Sequence, residues 1–155
     1  HMVIQRNGRQ CNCGRKGCFE TYASATALVS DTKVAMENNK DSLLWEICPD
    51  IKKVNAKTRF DAYKSGDETA SKVVDEYIAN LAAGIVNLIN IFQPEVLCIG
   101  GGVSNERQFL IDLLMPYITT EDFAKNARER TKIVIAKFRN DAGIIGAAMV
   151  GVKND

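Results

Sequence analysis

Cys11, Cys13 and Cys18 follow the pattern C-x-C-x4-C, and nine residues separate Cys11 from His1, the only histidine in the chain. Zn²⁺ takes thiolates and imidazole tetrahedrally, and ligands set this closely, with glycine between them, can wrap one ion. Gly14 and Gly17 supply the positive φ angles that so tight a loop demands. A disulfide within Cys11-Asn12-Cys13 is disfavoured, because Cα atoms two residues apart rarely permit relaxed S–S geometry. Three thiolates leave one position open. His1 would complete a closed Cys3His set, which reads as a structural zinc site with ligands His1, Cys11, Cys13 and Cys18. His1-Met2 has a second reading as a pair added at a cloning junction, in which case the fourth ligand is foreign or water. Cys48 and Cys98 lie in apolar runs and read as small buried hydrophobes. The odd cysteine total, without a secretory pattern, points to a reducing, cytoplasmic compartment.

The second group with chemical potential is Gly100-Gly101-Gly102-Val103-Ser104. It follows a short apolar run and precedes a helical pattern, so backbone there can approach a flat or phosphorylated ligand closely. It is neither a Walker A loop, since no Gly-Lys-Ser/Thr follows, nor a G-x-G-x-x-G fingerprint. A tight turn at a crowded sheet edge and a ligand site both remain open on these residues alone.

The elements that must position these groups alternate in α/β fashion. A helix is predicted from Phe19 to about Glu37, with Leu28, Val29, Ala35 and Met36 toward the core. Short helices follow around Leu43–Ile47, stopped by Pro49, and around Arg59–Lys64, stopped at Ser65-Gly66. Asp67 is placed to cap a long helix from about Glu68 to Phe92, whose second half is apolar nearly all round and reads as deeply buried. Glu95–Ile99 reads as a buried parallel strand and Lys132–Phe138 as a second strand. A helix from about Glu106 to Tyr117 separates them, and a last helix, Ala142–Val150, would be capped by Asp141.

The 155 residues are 46% hydrophobic and 25% charged, as expected of an ordinary globular domain large enough to bury a core. With 20 Lys+Arg against 19 Asp+Glu, the net charge of +1 excludes the basic footprint of a nucleic-acid-binding domain and an acidic disordered tail. No apolar run approaches the ~18 residues of a membrane span.

Cys11-Asn12-Cys13-Gly14-Arg15-Lys16-Gly17-Cys18-Phe19-Glu20 resembles the C-x-C-G-x-x-G-C-x-E signature of the ROK family, which groups bacterial sugar kinases and sugar-responsive repressors. The resemblance continues through Tyr22-Ala23-Ser24, Ile91–Val96, Ile99–Ser104 and Asp141–Ala148, and so covers nearly the whole chain. Gly66-Asp67 and the helix after them look most like the glucokinase branch. The family also carries a zinc-ligand histidine at the spacing of His1, within Glu-x-Gly-His; the glutamate and glycine are absent here.

That resemblance implies the C-terminal lobe of an actin-like ATPase (ribonuclease H-like) fold with an inserted zinc loop, residues 1–20, the whole of 1–155 forming a single partial domain. It implies MgATP and a hexose as substrates, with Glu20 and His1 contacting the sugar and Gly100, Gly101, Gly102 and Val103 lying against the adenosine. The reading of Glu20 from its position alone, a first-turn carboxylate complementing the helix dipole, is compatible with that role. No catalytic residue is expected in this chain. The family's Asp-x-Gly-Gly-Thr turn does not occur, and its Asn-Asp general-base pair has no counterpart, since Asn140-Asp141 sits at the wrong end and reads as an N-cap. Arg15 and Lys16 read as solvated loop charges. The alternatives are a kinase for N-acetylmannosamine or fructose and the sugar-sensing half of a repressor, with nucleic acid as a partner only in the latter. Family members are commonly dimers or tetramers, so a homo-oligomer is expected, with no membrane association.

Overall fold

The computed structural model describes residues 1–138 and 141–150. The chain divides into two compact units, His1–Gly84 and Ile85–Asp155.

The first unit opens with an irregular loop and continues in helices α1 (Glu20–Ala23), α2 (Ala25–Asn38), α3 (Leu44–Ile47) and α4 (Ala56–Lys64), followed by most of α5 (Glu68–Phe92). The helix predicted as continuous from Phe19 is two helices. Ser24, extended at ψ 160°, ends the first, and its side chain accepts from the Ala27 N–H to start the second. Leu28 and Met36 are buried as expected. Helix α4 begins earlier than predicted because Asn55 and Thr58 form a reciprocal capping box, a signal present in the sequence. A 3-10 turn at Ile51–Lys53, not anticipated, precedes it.

Helix α5 has the predicted limits and cap. The Asp67 carboxylate accepts from the Ala70 N–H at 2.6 Å, and also from the Ser42 hydroxyl at 3.0 Å and the Leu43 N–H at 2.9 Å. One buried acid thus caps α5 and fixes the chain entering α3. Against this frame pack Met36, Leu44, Cys48, Val54, Ala62 and Ala70, so Cys48 is the buried small hydrophobe expected. Beside them Phe60 is fully buried and the Arg59 guanidinium, also fully buried, donates to the Thr32 hydroxyl at 3.1 Å. Tyr77 donates to the Ala23 carbonyl at 3.0 Å, and burial pushes its pKa up to about 12, with Arg59 acting in the opposite sense. On α5, Gly84 leaves room for the Phe19 ring; a Cβ there would lie 2.2 Å from it.

In the second unit, β1 (Val96–Ile99) pairs in parallel with β2 (Lys132–Ile135), Val96 opposite Lys132 and Ile99 opposite Ile135. A 3-10 turn (Gly102–Glu106) and α6 (Gln108–Glu121) connect them, and α7 (Ala142–Met149) follows. Helix α6 starts later than predicted because Arg107, at φ 55°, separates it from the 3-10 turn. Strand β1 is not buried as expected, and Cys98 on it is exposed. With one partner strand in the described residues, β1 and β2 are both edge strands and neither face is covered as in a fully flanked sheet. Deep burial of the end of α5 also fails: Ala82, Ile85, Val86 and Ile89 are buried, but Ile91 and Phe92 are exposed. Asp141 is helical in φ and ψ and accepts no capping bond, so it does not cap α7; Asn140 lies outside the described residues.

Removing the Asp67 carboxylate should be costly, since it withdraws the α5 cap and the acceptor of the Ser42 hydroxyl and the Leu43 N–H. Asp67→Ala is expected to lower stability by about 2–3 kcal/mol in urea denaturation, against less than about 0.5 kcal/mol for the exposed Asp41→Ala. Equal effects of the two would contradict this role.

Candidate metal centre

Residues 3–18 double back on themselves with little apolar packing. Isolated antiparallel bridges join Val3 to Cys18 and Gln10 to Lys16. The Gly17 N–H donates to the Arg9 carbonyl at 2.8 Å, and the Gly17 carbonyl accepts from the Ile4 N–H at 2.9 Å. The Cys11 N–H donates to the Arg15 carbonyl at 2.9 Å, closing the tight turn around Cys13. Gly17 sits at φ 76°, and a Cβ there would lie 1.6 Å from the Gln5 carbonyl oxygen, so only glycine fits.

This folding brings the predicted ligands together. One donor atom from each of His1, Cys11, Cys13 and Cys18 lies within 4.8 Å of every other. His1 Nδ1 is 3.4 Å from Cys11 Sγ, and Cys13 Sγ is 3.6 Å from Cys18 Sγ. No disulfide joins them. A tetrahedral zinc with bonds of about 2.3 Å to sulfur and 2.0 Å to nitrogen places its ligands roughly 3.5–3.8 Å apart. The residues present therefore fit a closed N1S3 zinc site.

The thiols differ in environment. Hydrogen bonds from the Arg15 backbone N–H and then its side chain pull the Cys13 pKa down to about 7, partly opposed by desolvation. Burial and the neighbouring thiols push Cys18 up to about 11. Burial thus keeps Cys18 protonated near neutral pH, whereas a divalent ion would displace its proton. Arg15 is thus more than a solvated loop charge: its guanidinium also donates to the His1 carbonyl, which ties the chain start to the thiol turn.

Glu20 follows directly. The Phe19 N–H donates to the Met2 carbonyl at 2.7 Å, and the Thr21 hydroxyl donates to the Cys18 carbonyl at 2.7 Å, so the loop sets where α1 begins. The half-exposed Glu20 carboxylate lies 3.2 Å from His1 Nδ1. A polar cleft of about 520 Å³ opens beside it, bordered by Cys11, Asn12, Thr21, Ser24, Ser30 and Asp31. The sequence reading missed Arg9, Tyr22 and Asp31, which bind this loop to α1 and α2; nothing in their spacing signals the contact.

The glycine turn belongs to the second unit, at the carboxyl end of β1. Gly101 adopts φ 82°, and a Cβ on Gly101 or Gly102 would meet no atom within 4 Å, so the backbone there faces open space. Val103 is buried and the Ser104 hydroxyl donates to the Gly101 carbonyl at 2.6 Å, which holds the turn from behind. A larger cleft of the same unit, about 760 Å³, opens at the starts of both strands and is bordered by Gln93, Asp122, Arg128 and Arg130. It lies at the other end of the strands from the glycine turn.

Residues 1–153 match the sequence pattern of the ROK family, and the chain belongs to that family. It is 33% identical over 159 residues to a glucokinase of Thermotoga maritima, covering 97% of this chain and 47% of the relative. It is 28% identical to the xylose repressor of Caldicellulosiruptor bescii over 97% of this chain and 37% of the repressor. A crystal structure of a ROK glucokinase from Streptomyces griseus, in complex with glucose and AMPPNP, superposes with a TM-score of 0.85 at 27% identity, over 97% of this chain and 49% of that one. The chain thus spans about half the length of the two glucokinases and 37% of the repressor. The mixed helix and sheet fold is that of ROK sugar kinases. Among the described residues, no helix is long and apolar enough to cross a membrane.

A filled centre predicts close to one zinc per chain by elemental analysis at pH 7.5, with Cys11, Cys13 and Cys18 protected from a thiol reagent while exposed Cys98 reacts. Because protons compete with the ion for the thiolates, zinc affinity should weaken as the pH is lowered. Near-zero zinc with all three loop thiols freely titratable would refute the assignment.

Proposed function

We propose that this chain is the zinc-bearing part of an ATP-dependent hexose kinase of glucokinase type, which converts glucose to glucose 6-phosphate in the full-length protein. The observation that supports it most is the placement of Glu20 and His1 side by side at the edge of the Cys3His cluster, in a chain 33% identical to a glucokinase. The whole of 1–155 is read as one partial domain, the C-terminal lobe of an actin-like ATPase fold.

In such a reaction a sugar hydroxyl attacks the γ-phosphate of MgATP, and catalysis consists of positioning, charge neutralisation and removal of the hydroxyl proton. Glu20 accepts hydrogen bonds from sugar hydroxyls, and His1, with Nδ1 toward the thiol cluster, offers its other ring N–H as a donor beside it. Gly101 and Gly102, flanked by Gly100 and Val103, offer side-chain-free backbone to the adenosine. His1, Cys11, Cys13 and Cys18 would hold zinc, which would supply structural order, and four protein ligands would leave no open position for Lewis-acid chemistry. The protein is read as a cytoplasmic homo-oligomer.

The similarity to a xylose repressor favours a second reading, a sugar-sensing half without phosphoryl transfer. An Asp-x-Gly-Gly-Thr turn upstream decides for the kinase and a winged helix for the repressor.

A coupled assay on the full-length protein should show ATP-dependent glucose phosphorylation, and the 155 residues alone should be inactive because they hold no general base. Glu20→Gln should lower kcat/KM for the hexose about 10- to 100-fold, the worth of one hydrogen bond to a charged acceptor. No turnover with glucose, N-acetylmannosamine or fructose would overturn the kinase reading.

A further inference from the structure

Arg9 is the most connected side chain of the loop; it is not a metal ligand, and it borders the cleft beside Glu20. Its guanidinium Nη1 donates to the Asp31 carboxylate at 2.8 Å and to the Thr21 carbonyl at 3.1 Å. The same group lies over the Tyr22 ring, 4.6 Å from its centre, with Nη2 3.9 Å from the Glu76 carboxylate. Its backbone is engaged as well: the N–H donates to the Tyr22 hydroxyl at 2.7 Å, and the carbonyl accepts from the Gly17 N–H at 2.8 Å. Gly8 makes this approach possible, because a Cβ there would lie 2.0 Å from the Tyr22 oxygen.

These contacts meet a specific need. Helix α1 is a single turn, and Ser24 leaves helical conformation immediately after it. A helix that stops so early leaves carbonyls without partners in a next turn, and Arg side chains can fill that role. Arg9 does so for Thr21, the residue after Glu20. It thereby ties one strand of the metal loop, two residues before Cys11, to the turn that carries Glu20 and to Asp31 on α2. Through Gly17 it also holds the other strand, one residue before Cys18.

We propose that Arg9 is a positioning residue that couples the metal loop to Glu20, so that metal affinity and hexose affinity both depend on it. The hexose part rests on the kinase reading above; the metal part does not. Lysine would not reproduce the arrangement, because its single ammonium cannot present the planar fork to Thr21 and Asp31 while stacking on Tyr22.

The test uses Arg9→Ala and Arg9→Lys in the full-length protein. Zinc affinity from chelator competition should weaken about 10-fold in Arg9→Ala, as for other residues that orient metal ligands, with one zinc still bound at saturation. The visible spectrum of the Co²⁺-substituted protein should change, reporting altered ligand geometry. The hexose KM should rise about 10-fold with kcat within about twofold of wild type, and Arg9→Lys should recover only part of each effect. Unchanged zinc affinity and Co²⁺ spectrum in Arg9→Ala would overturn the proposal. So would a parallel loss of kcat and of global stability, which marks a merely structural residue. If wild type phosphorylates no hexose, the kinase reading fails, while the zinc and Co²⁺ readouts still decide whether Arg9 orders the loop.

Discussion

Three thiols and an imidazole held within 4.8 Å of one another form the constraint on which the first unit's site depends. Two thiolates about 4 Å apart repel by about 1 kcal/mol in water and about 4 kcal/mol near a protein surface. Cys18 is fully buried and its thiol is pushed toward the protonated form, so the cluster opposes its own ionisation. A divalent cation would reverse that balance and turn mutually repelling thiolates into ligands. Apolar burial adds little to hold the loop; its backbone hydrogen bonds and the Arg9 and Arg15 contacts do the rest. Val3 is exposed, its two bridges are isolated, and its glycines adopt conformations chosen for tightness rather than burial.

The rest of the site inherits its position from that loop. Cys18 is the last ligand, Phe19 packs against Gly84 on α5, and Glu20 begins α1. The carboxylate thus lies between the cysteine loop on one side and a packed aromatic ring on the other. Its proximity to His1 means that a proposed metal ligand and the residue read as binding sugar share one edge of the cluster. A structural ion can in this way set substrate geometry without touching the reacting atoms.

The parts legible in the sequence were those fixed by local rules. Cysteine spacing with Gly14 and Gly17 anticipated that the three thiols gather at one point, and helical periodicity with Asp67 placed α5 to the residue. The misses have common physical causes. The break at Ser24 depends on one side chain choosing to cap rather than to continue a helix, a choice made by the packing of α2. Burial of Cys98 and β1 was inferred from an apolar run, but burial belongs to the layers that cover a strand, and composition does not contain them. Arg9 and Asp31 are 22 residues apart with no periodic relation, so their pairing exists only once the loop is folded. Arg15 looked like a solvated charge because its partners are a carbonyl and a thiol, groups that carry no signature in sequence.

Backbone hydrogen exchange, followed with zinc bound and after chelation, tests most directly whether the metal orders the loop and with it Glu20. With zinc, the amides of Ile4, Cys11, Gly17 and Phe19, all hydrogen-bonded in the folded loop, should be protected. After chelation these four should lose protection, while Ala70 and Ser71 at the Asp67 cap keep theirs. Unchanged protection of the loop amides without metal would contradict the dependence of Glu20 on the zinc centre.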